Sequence, residues 1–186
     1  MKTKLLLLFA AAFALYCVIS CSGSKEDVAS KAPAPAAQQA ATPAAATTPS
    51  DPGIAFTAAD TKGNARNSSE WLGKKPVVLN FWGTWCPPCR RELPDLIKLY
   101  KEYEPKGVEI VGFAVKDTPV KVQMFANQAG MDWVMLMAND QVLNDYNVVN
   151  GIPTTIFLDK TGKEVGRFIG ARDYSDFKPM FDQILQ

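Results

Sequence analysis

The sequence contains no histidine. That absence excludes a Ser-His-Asp triad, a Cys-His dyad and any metal site built on an imidazole ligand. Excess charge is missing too. Twenty basic side chains are matched by 19 acidic ones, a net charge of +1, which gives no basic field to hold nucleic acid. Cysteine is scarce: four in 186 residues cannot staple a scaffold, so each thiol has to be explained by its position. Signatures of nucleotide, flavin or haem binding are lacking, and no bound cofactor is expected. What is present is a hydrophobic fraction of 47%, ordinary for a chain with a core and too high for wholesale disorder.

The chain opens with Met1-Lys2-Thr3-Lys4 and an unbroken apolar or small run from Leu5 to Ile19, the charged and apolar regions of an export signal. The next residues, Val18-Ile19-Ser20-Cys21, resemble the bacterial lipobox, with a branched aliphatic residue three before the cysteine and a small one just before it. The resemblance implies that residues 1–20 are a lipoprotein signal peptide and that Cys21 is the lipidated first residue of the mature chain. Cys17 fits less well, because bulky Tyr16 precedes it. The competing reading is an uncleaved membrane helix, barely long enough to span a bilayer. Both readings export and tether the rest of the chain, so the protein is expected to face the periplasm, outside the cytoplasm.

Residues 21–53, Cys21 and the stretch after it, are rich in alanine and interrupted by Pro33, Pro35, Pro43, Pro49 and Pro52. Such a segment has too little apolar surface to offset its ordering entropy, and the prolines break any alanine helix. It is expected to be a disordered leash, roughly 30 Å long as a coil and about 100 Å if drawn out.

Residues 54–186 are close to neutral and large enough for one core. Their pattern alternates strand and helix. Lys62-Gly63-Asn64 is a turn between two short strands, an N-terminal β-hairpin, and Ser69 to Leu72 reads as one helical turn ended by Gly73. Pro76 to Trp82 is a β-branched and aromatic run suited to a buried central strand. A helix is predicted over 87–103, a strand over 108–115, a helix over 118–129, a short strand at Val134 to Leu136 and a short helix over 140–146. A second hairpin turns at Asp159 to Lys163, and a last amphipathic helix runs over 173–185. The fold class is therefore α/β, a mixed central sheet flanked by helices.

Trp85-Cys86-Pro87-Pro88-Cys89 joins the buried strand to the first long helix. A C-x-x-C at a strand–helix junction reads as a redox dithiol, because two intervening residues let the sulfurs meet across one helical turn. Cys86 falls at the N-cap, the exposed end, where helix N–H groups favour thiolate; Cys89 lies one turn in, towards the core. Cys86 is thus the expected attacking thiolate and Cys89 the resolving thiol. A structural disulfide closing so short a loop would constrain the unfolded chain little. A zinc site would lack ligands, since this region has two cysteines and no histidine. Pro87 and Pro88 donate no N–H, so the thiolate is poorly stabilised and the pair should be a reductant. Pro94, inside the same helix, is expected to kink it. The remaining tryptophans and the methionines near 131–137 are expected in the core.

The run from Gly73 to Pro94, GKKPVVLNFWGTWCPPCRRELP, together with Gly151-Ile152-Pro153-Thr154-Thr155, resembles the TlpA/ResA-like family of extracytoplasmic thioredoxin-fold proteins over essentially residues 54–186. The resemblance implies a thioredoxin core with the N-terminal β-hairpin and one inserted αβ element. It implies a membrane-tethered thiol-disulfide oxidoreductase, commonly a reductant. The clients it implies are apocytochrome c, in cytochrome c maturation, or a copper-site protein, with a membrane electron donor to recharge the dithiol. Pro153 matches the family's cis-proline beside the dithiol, and the backbone of Ile152 could pair there with an incoming peptide. Glu92, three residues past Cys89, matches a glutamate that shuttles the resolving thiol's proton. Asn80 stands where cytoplasmic thioredoxins carry a buried aspartate and cannot take up a proton, which leaves Glu92 as the carboxylate candidate; the plainer reading is that Asn80 satisfies backbone groups. Trp85 is expected to shield Cys86 and offer a flat contact surface.

The alternative from another class is a Cu(I)-handling metallochaperone using the same dithiol as soft ligands. A peroxidase of the peroxiredoxin type shares the fold, but its threonine lies three before the reactive cysteine, whereas Thr84 lies two before Cys86.

Overall fold

The computed structural model describes residues Ile54–Gln186. The expected signal peptide, Cys21 and the expected leash fall outside the described residues. Two short strands, β1 (Thr57–Ala59) and β2 (Ala65–Asn67), pair antiparallel about the turn at Gly63, where φ is +85°. This is the N-terminal hairpin. A 3-10 turn at Ser68–Glu70 comes next, closed at its start by Asn67 and Glu70 in a reciprocal capping box.

The main sheet has the order β5-β4-β3-β6-β7, with β3 (Val77–Trp82), β4 (Glu109–Ala114), β5 (Val134–Met137), β6 (Thr154–Leu158) and β7 (Glu164–Ile169). Strands β3, β4 and β5 run parallel, whereas β6 pairs antiparallel with both β3 and β7, so the sheet is mixed. All six residues of β3 are buried, as its unbroken apolar run requires of a central strand covered on both faces. The helices are α1 (Pro87–Tyr103), α2 (Pro119–Ala129), α3 (Asp140–Asp145) and α4 (Tyr174–Ile184). Between β4 and β6 the chain passes through α2, β5 and α3, and β5 extends the sheet at its edge: this is the inserted αβ element.

Alternation along β3 separates two cores. Val78 and Trp82 join Cys89, Leu93, Leu96, Leu99 and Tyr103 of α1 and Phe177, Phe181 and Ile184 of α4 on one face. Val77, Leu79 and Phe81 face the other way, onto Phe56 and Ala58 of the hairpin, Trp71 and Tyr146. Asn80 has the parity of Val78 and Trp82, which turns it towards α1. Trp71, Trp82, Trp133, Met131 and Met135 are buried, as expected of core residues. α1 stays one continuous helix across Pro94, whose ring lies exposed, so the missing N–H bond falls on the solvent side.

Phe81 is fully buried and stacks on Phe113 with ring centroids 4.9 Å apart, on the face away from α1. Phe81→Ala should destabilise the protein by about 3–5 kcal/mol in urea unfolding. A loss below about 1 kcal/mol would show that this second core is not tightly packed.

Candidate active site

The site is assembled where β3 ends and α1 begins. Cys86 is the N-cap of α1, in extended backbone, and its Sγ accepts the N–H of Cys89 at 3.2 Å. Pro87 and Pro88 occupy the next two positions, so Cys89 supplies the first helix N–H able to reach that sulfur. Cys86 and Cys89 are joined by a disulfide with Cα atoms 5.3 Å apart, and the structure is that of the oxidised protein. Cys89 is fully buried, as its place on the inner face of α1 dictates. Cys86 is 3% exposed, against the expectation of an exposed N-cap. The reason is the chain before β6: the Ile152 carbonyl comes to 3.9 Å from Cys86 Sγ, and the sulfur's other side is taken by the bond to Cys89.

The Ile152–Pro153 peptide bond is cis. Gly151 precedes it with φ +102°, a conformation L side chains rarely adopt, and the Thr154 hydroxyl donates to the Gly151 carbonyl at 2.8 Å. Beyond the bend, the Pro153 carbonyl accepts from Gly170 N–H at 2.8 Å, so the turn is anchored to the end of β7.

Trp85 is 54% exposed and gives the site a broad apolar rim. Its indole N–H donates to the Val115 carbonyl at 3.0 Å, and the ring lies so close over Gly83 that a Cβ there would meet Nε1 at 2.8 Å. Asp117 accepts the Thr84 N–H at 2.7 Å. The loop after β4 therefore holds the turn that presents the cysteines, a support with no local signature in the sequence.

Glu92 is 1% exposed, although it follows Arg90 and Arg91, both in solvent. Its Oε1 accepts from Asn80 Nδ2 at 3.1 Å and its Oε2 from the Arg172 N–H at 3.3 Å. Burial lifts this carboxyl from an ordinary 4.5 to about 7, against the opposing pull of the Asn80 and Arg172 hydrogen bonds and the Arg172 charge. Asn80 thus serves side chains and not backbone groups: its Nδ2 also donates to Thr155 Oγ1 at 3.0 Å. Glu92 lines a cavity of about 590 Å³ with Arg91, Asp95, Arg167, Phe168 and Arg172. Arg172 and Thr155 were not legible as site residues. Arg172 lies 80 positions from Glu92 and Thr155 lies 75 from Asn80, and only the fold brings each to its partner. Among the described residues no group of three or more His, Cys, Asp or Glu side chains could hold a metal ion.

A sheet of this order, with a disulfide at the start of the helix leaving its central strand and a cis-proline turn against it, defines the thioredoxin fold. The chain belongs to the AhpC/TSA family, whose model matches residues 49–164. It is 38% identical over 130 residues to the thiol-disulfide oxidoreductase ResA of Geobacillus kaustophilus, a match covering 69% of this chain and 74% of that protein. A thioredoxin-family thiol:disulfide interchange protein from Chlorobium tepidum superposes with a TM-score of 0.67 at 29% identity, covering 75% of this chain and 99% of the other. A secreted Mycobacterium tuberculosis disulfide oxidoreductase, described as homologous to E. coli DsbE, superposes at 0.60 with 26% identity, covering 69% and 95%. The chain is a thiol-disulfide oxidoreductase.

The Glu92 environment has a consequence for stability. Between about pH 4.5 and 7 the unfolded chain gives up the Glu92 proton while the folded protein keeps it. The native state then binds more protons, and stability falls as pH rises through that window, by about 3 kcal/mol in all. Glu92→Gln should remove this slope in urea unfolding of the oxidised protein and be the more stable form above pH 7. With no histidine in the chain, the window is free of that titration. A slope unchanged in the variant would place the carboxylate in a wetter environment.

Proposed function

We propose that the protein is an exported, membrane-tethered reductant of protein disulfides that works through Cys86 and Cys89. The observation that carries this reading is the Cys86–Cys89 disulfide set against the Ile152–Pro153 turn, with the buried Glu92 on the same helix. In the forward cycle the Cys86 thiolate attacks a client disulfide; a Cys86–client bond forms, and one client sulfur leaves as thiolate. Cys89 then attacks Cys86 Sγ. As it does so its proton passes to Glu92, the second client sulfur leaves, and the Cys86–Cys89 disulfide closes. Two electrons have moved from the protein to the client, and the proton on Glu92 goes on to the leaving sulfur or to solvent. A membrane electron donor of the thiol-reducing type restores the dithiol, because the reaction supplies no other reductant.

The client approaches across Trp85 and lays an extended segment beside Ile152 and Pro153, adding backbone hydrogen bonds as a strand does. Apocytochrome c and copper-site proteins are the client classes that the family resemblance suggests. The N-terminal run and Cys21 supply the export signal and lipid anchor, residues 21–53 the leash, and residues 54–186 the catalytic domain. The working compartment is then outside the cytoplasm and facing the periplasm, and the secreted M. tuberculosis relative agrees with that placement.

Turnover of a disulfide-bonded protein with dithiothreitol as electron source tests the assignment. Cys86→Ala should abolish it, at least a thousandfold on the scale of a lost nucleophile. Cys89→Ala should accumulate a mixed disulfide with the client, visible by non-reducing gel and mass. Retained turnover in Cys86→Ala would refute the reading, and a tight stoichiometric Cu(I) complex without turnover would favour metal handling by the same pair.

A further inference from the structure

Asn80 is an uncharged side chain in the middle of a fully buried strand, and its surroundings are uneven. Its Nδ2 has both hydrogens engaged, one on Glu92 Oε1 at 3.1 Å and one on Thr155 Oγ1 at 3.0 Å. Its Oδ1 is buried with no partner. A buried acceptor left bare costs free energy, and packing alone would not select an amide here. Turning the amide over would be worse. It would set a carbonyl against the carboxylate and leave two N–H groups bare where one oxygen now is. The amide is therefore held with its donor edge on Glu92, and Thr155, on the neighbouring strand β6, holds it there.

The two oxygens of Glu92 are thereby made unequal. Oε1 points to Asn80, inside the sheet–helix interface. Oε2 meets the Arg172 N–H, and both Glu92 and Arg172 line the cavity that opens to solvent beside the site. We propose that Asn80, anchored on Thr155, is a positioning residue for proton transfer at the dithiol: it pins Oε1 and leaves Oε2, whose partner Arg172 lines the cavity, as the oxygen that takes and releases the proton. This rests on the reading of Glu92 as the base for Cys89. The charged groups facing Glu92 across the cavity are Arg91 and Asp95 on its own helix, Arg167 on β7, Arg172 in the next loop, and Asp173 and Asp176 at the start of α4. Of these Arg172 acts on it directly, and it also favours the ionised form. Loss of the Asn80 donor would shift Glu92 towards its protonated form even with Arg172 in place.

The test tracks the Glu92 carboxyl carbon by carbon-13 NMR through a pH titration of the oxidised protein, alongside the pH profile of disulfide turnover. Asn80→Leu should raise the Glu92 midpoint by about one pH unit, a tenfold change in proton affinity. Thr155→Val should move it the same way by a smaller step, and Thr155→Ser, which keeps the hydroxyl, should leave it at the wild-type position. Should Asn80→Leu fail to fold, the Thr155 pair decides, because each exchanges or keeps a single hydroxyl. A midpoint unmoved in both Asn80→Leu and Thr155→Val, with only stability lost, would reduce Asn80 to a structural role and overturn the proposal. A Glu92→Gln protein with an unchanged pH profile of turnover would defeat the assignment of Glu92 as base, a failure distinct from that of Asn80.

Discussion

Arg90, Arg91 and Glu92 are consecutive, yet the two arginines lie in solvent while Glu92 is sealed between α1 and the sheet. Helical geometry sets that contrast. Glu92 follows Cys89 by three positions and precedes Leu96 by four, so it shares the stripe that packs on β3. Desolvation there works against ionisation, and the hydrogen bonds from Asn80 and Arg172 keep the carboxylate accessible near neutral pH. An acid raised towards neutral pH, on the same face as the buried Cys89, is what the proposed proton transfer calls for. The position of α1, the identity of residue 80 and the entry of β7 into α4 all bear on that one group.

The architecture divides the work between two faces. On the face opposite α1, the N-terminal hairpin and α3 cover Leu79, Phe81 and Phe113. On the α1 face, Trp82, Leu93, Leu96 and Phe157 fix the helix against the sheet, and the cysteines sit at its first turn. Central strands of a doubly covered sheet are the most rigid places in such a fold. Placing the reactive turn at the end of one of them lets the disulfide close and open without the backbone having to reorganise.

Much of this was legible in the residues. The hairpin at Lys62-Gly63-Asn64, the strand from Val77 to Trp82 and the helix from Pro87 to Tyr103 all obey local rules of turn chemistry and periodicity. The dithiol at the strand–helix junction is likewise local. The cover that Ile152 places over Cys86 was not legible, because it depends on a loop 66 residues away, and the exposed N-cap suggested by helix geometry alone did not anticipate it. Nor were the partners of Glu92. Its spacing from Cys89 gave the face, but Asn80 and Arg172 reach it, and Thr155 reaches Asn80, only once β3, β6 and the loop before α4 are in place.

The reducing character we propose for the protein rests on what the helix withholds from Cys86. Two prolines remove the first N–H donors of α1, and the Cys89 N–H alone is left on the sulfur. On this proposal, a thiolate with so little support leaves the dithiol willing to give up electrons. Equilibration of the protein with glutathione or dithiothreitol buffers, read by alkylation and mass, measures this directly. A midpoint at or below about −220 mV, in the range of thioredoxin and the glutaredoxins, is the predicted result. A midpoint near about −120 mV, that of DsbA, would make the protein an oxidant and contradict the account.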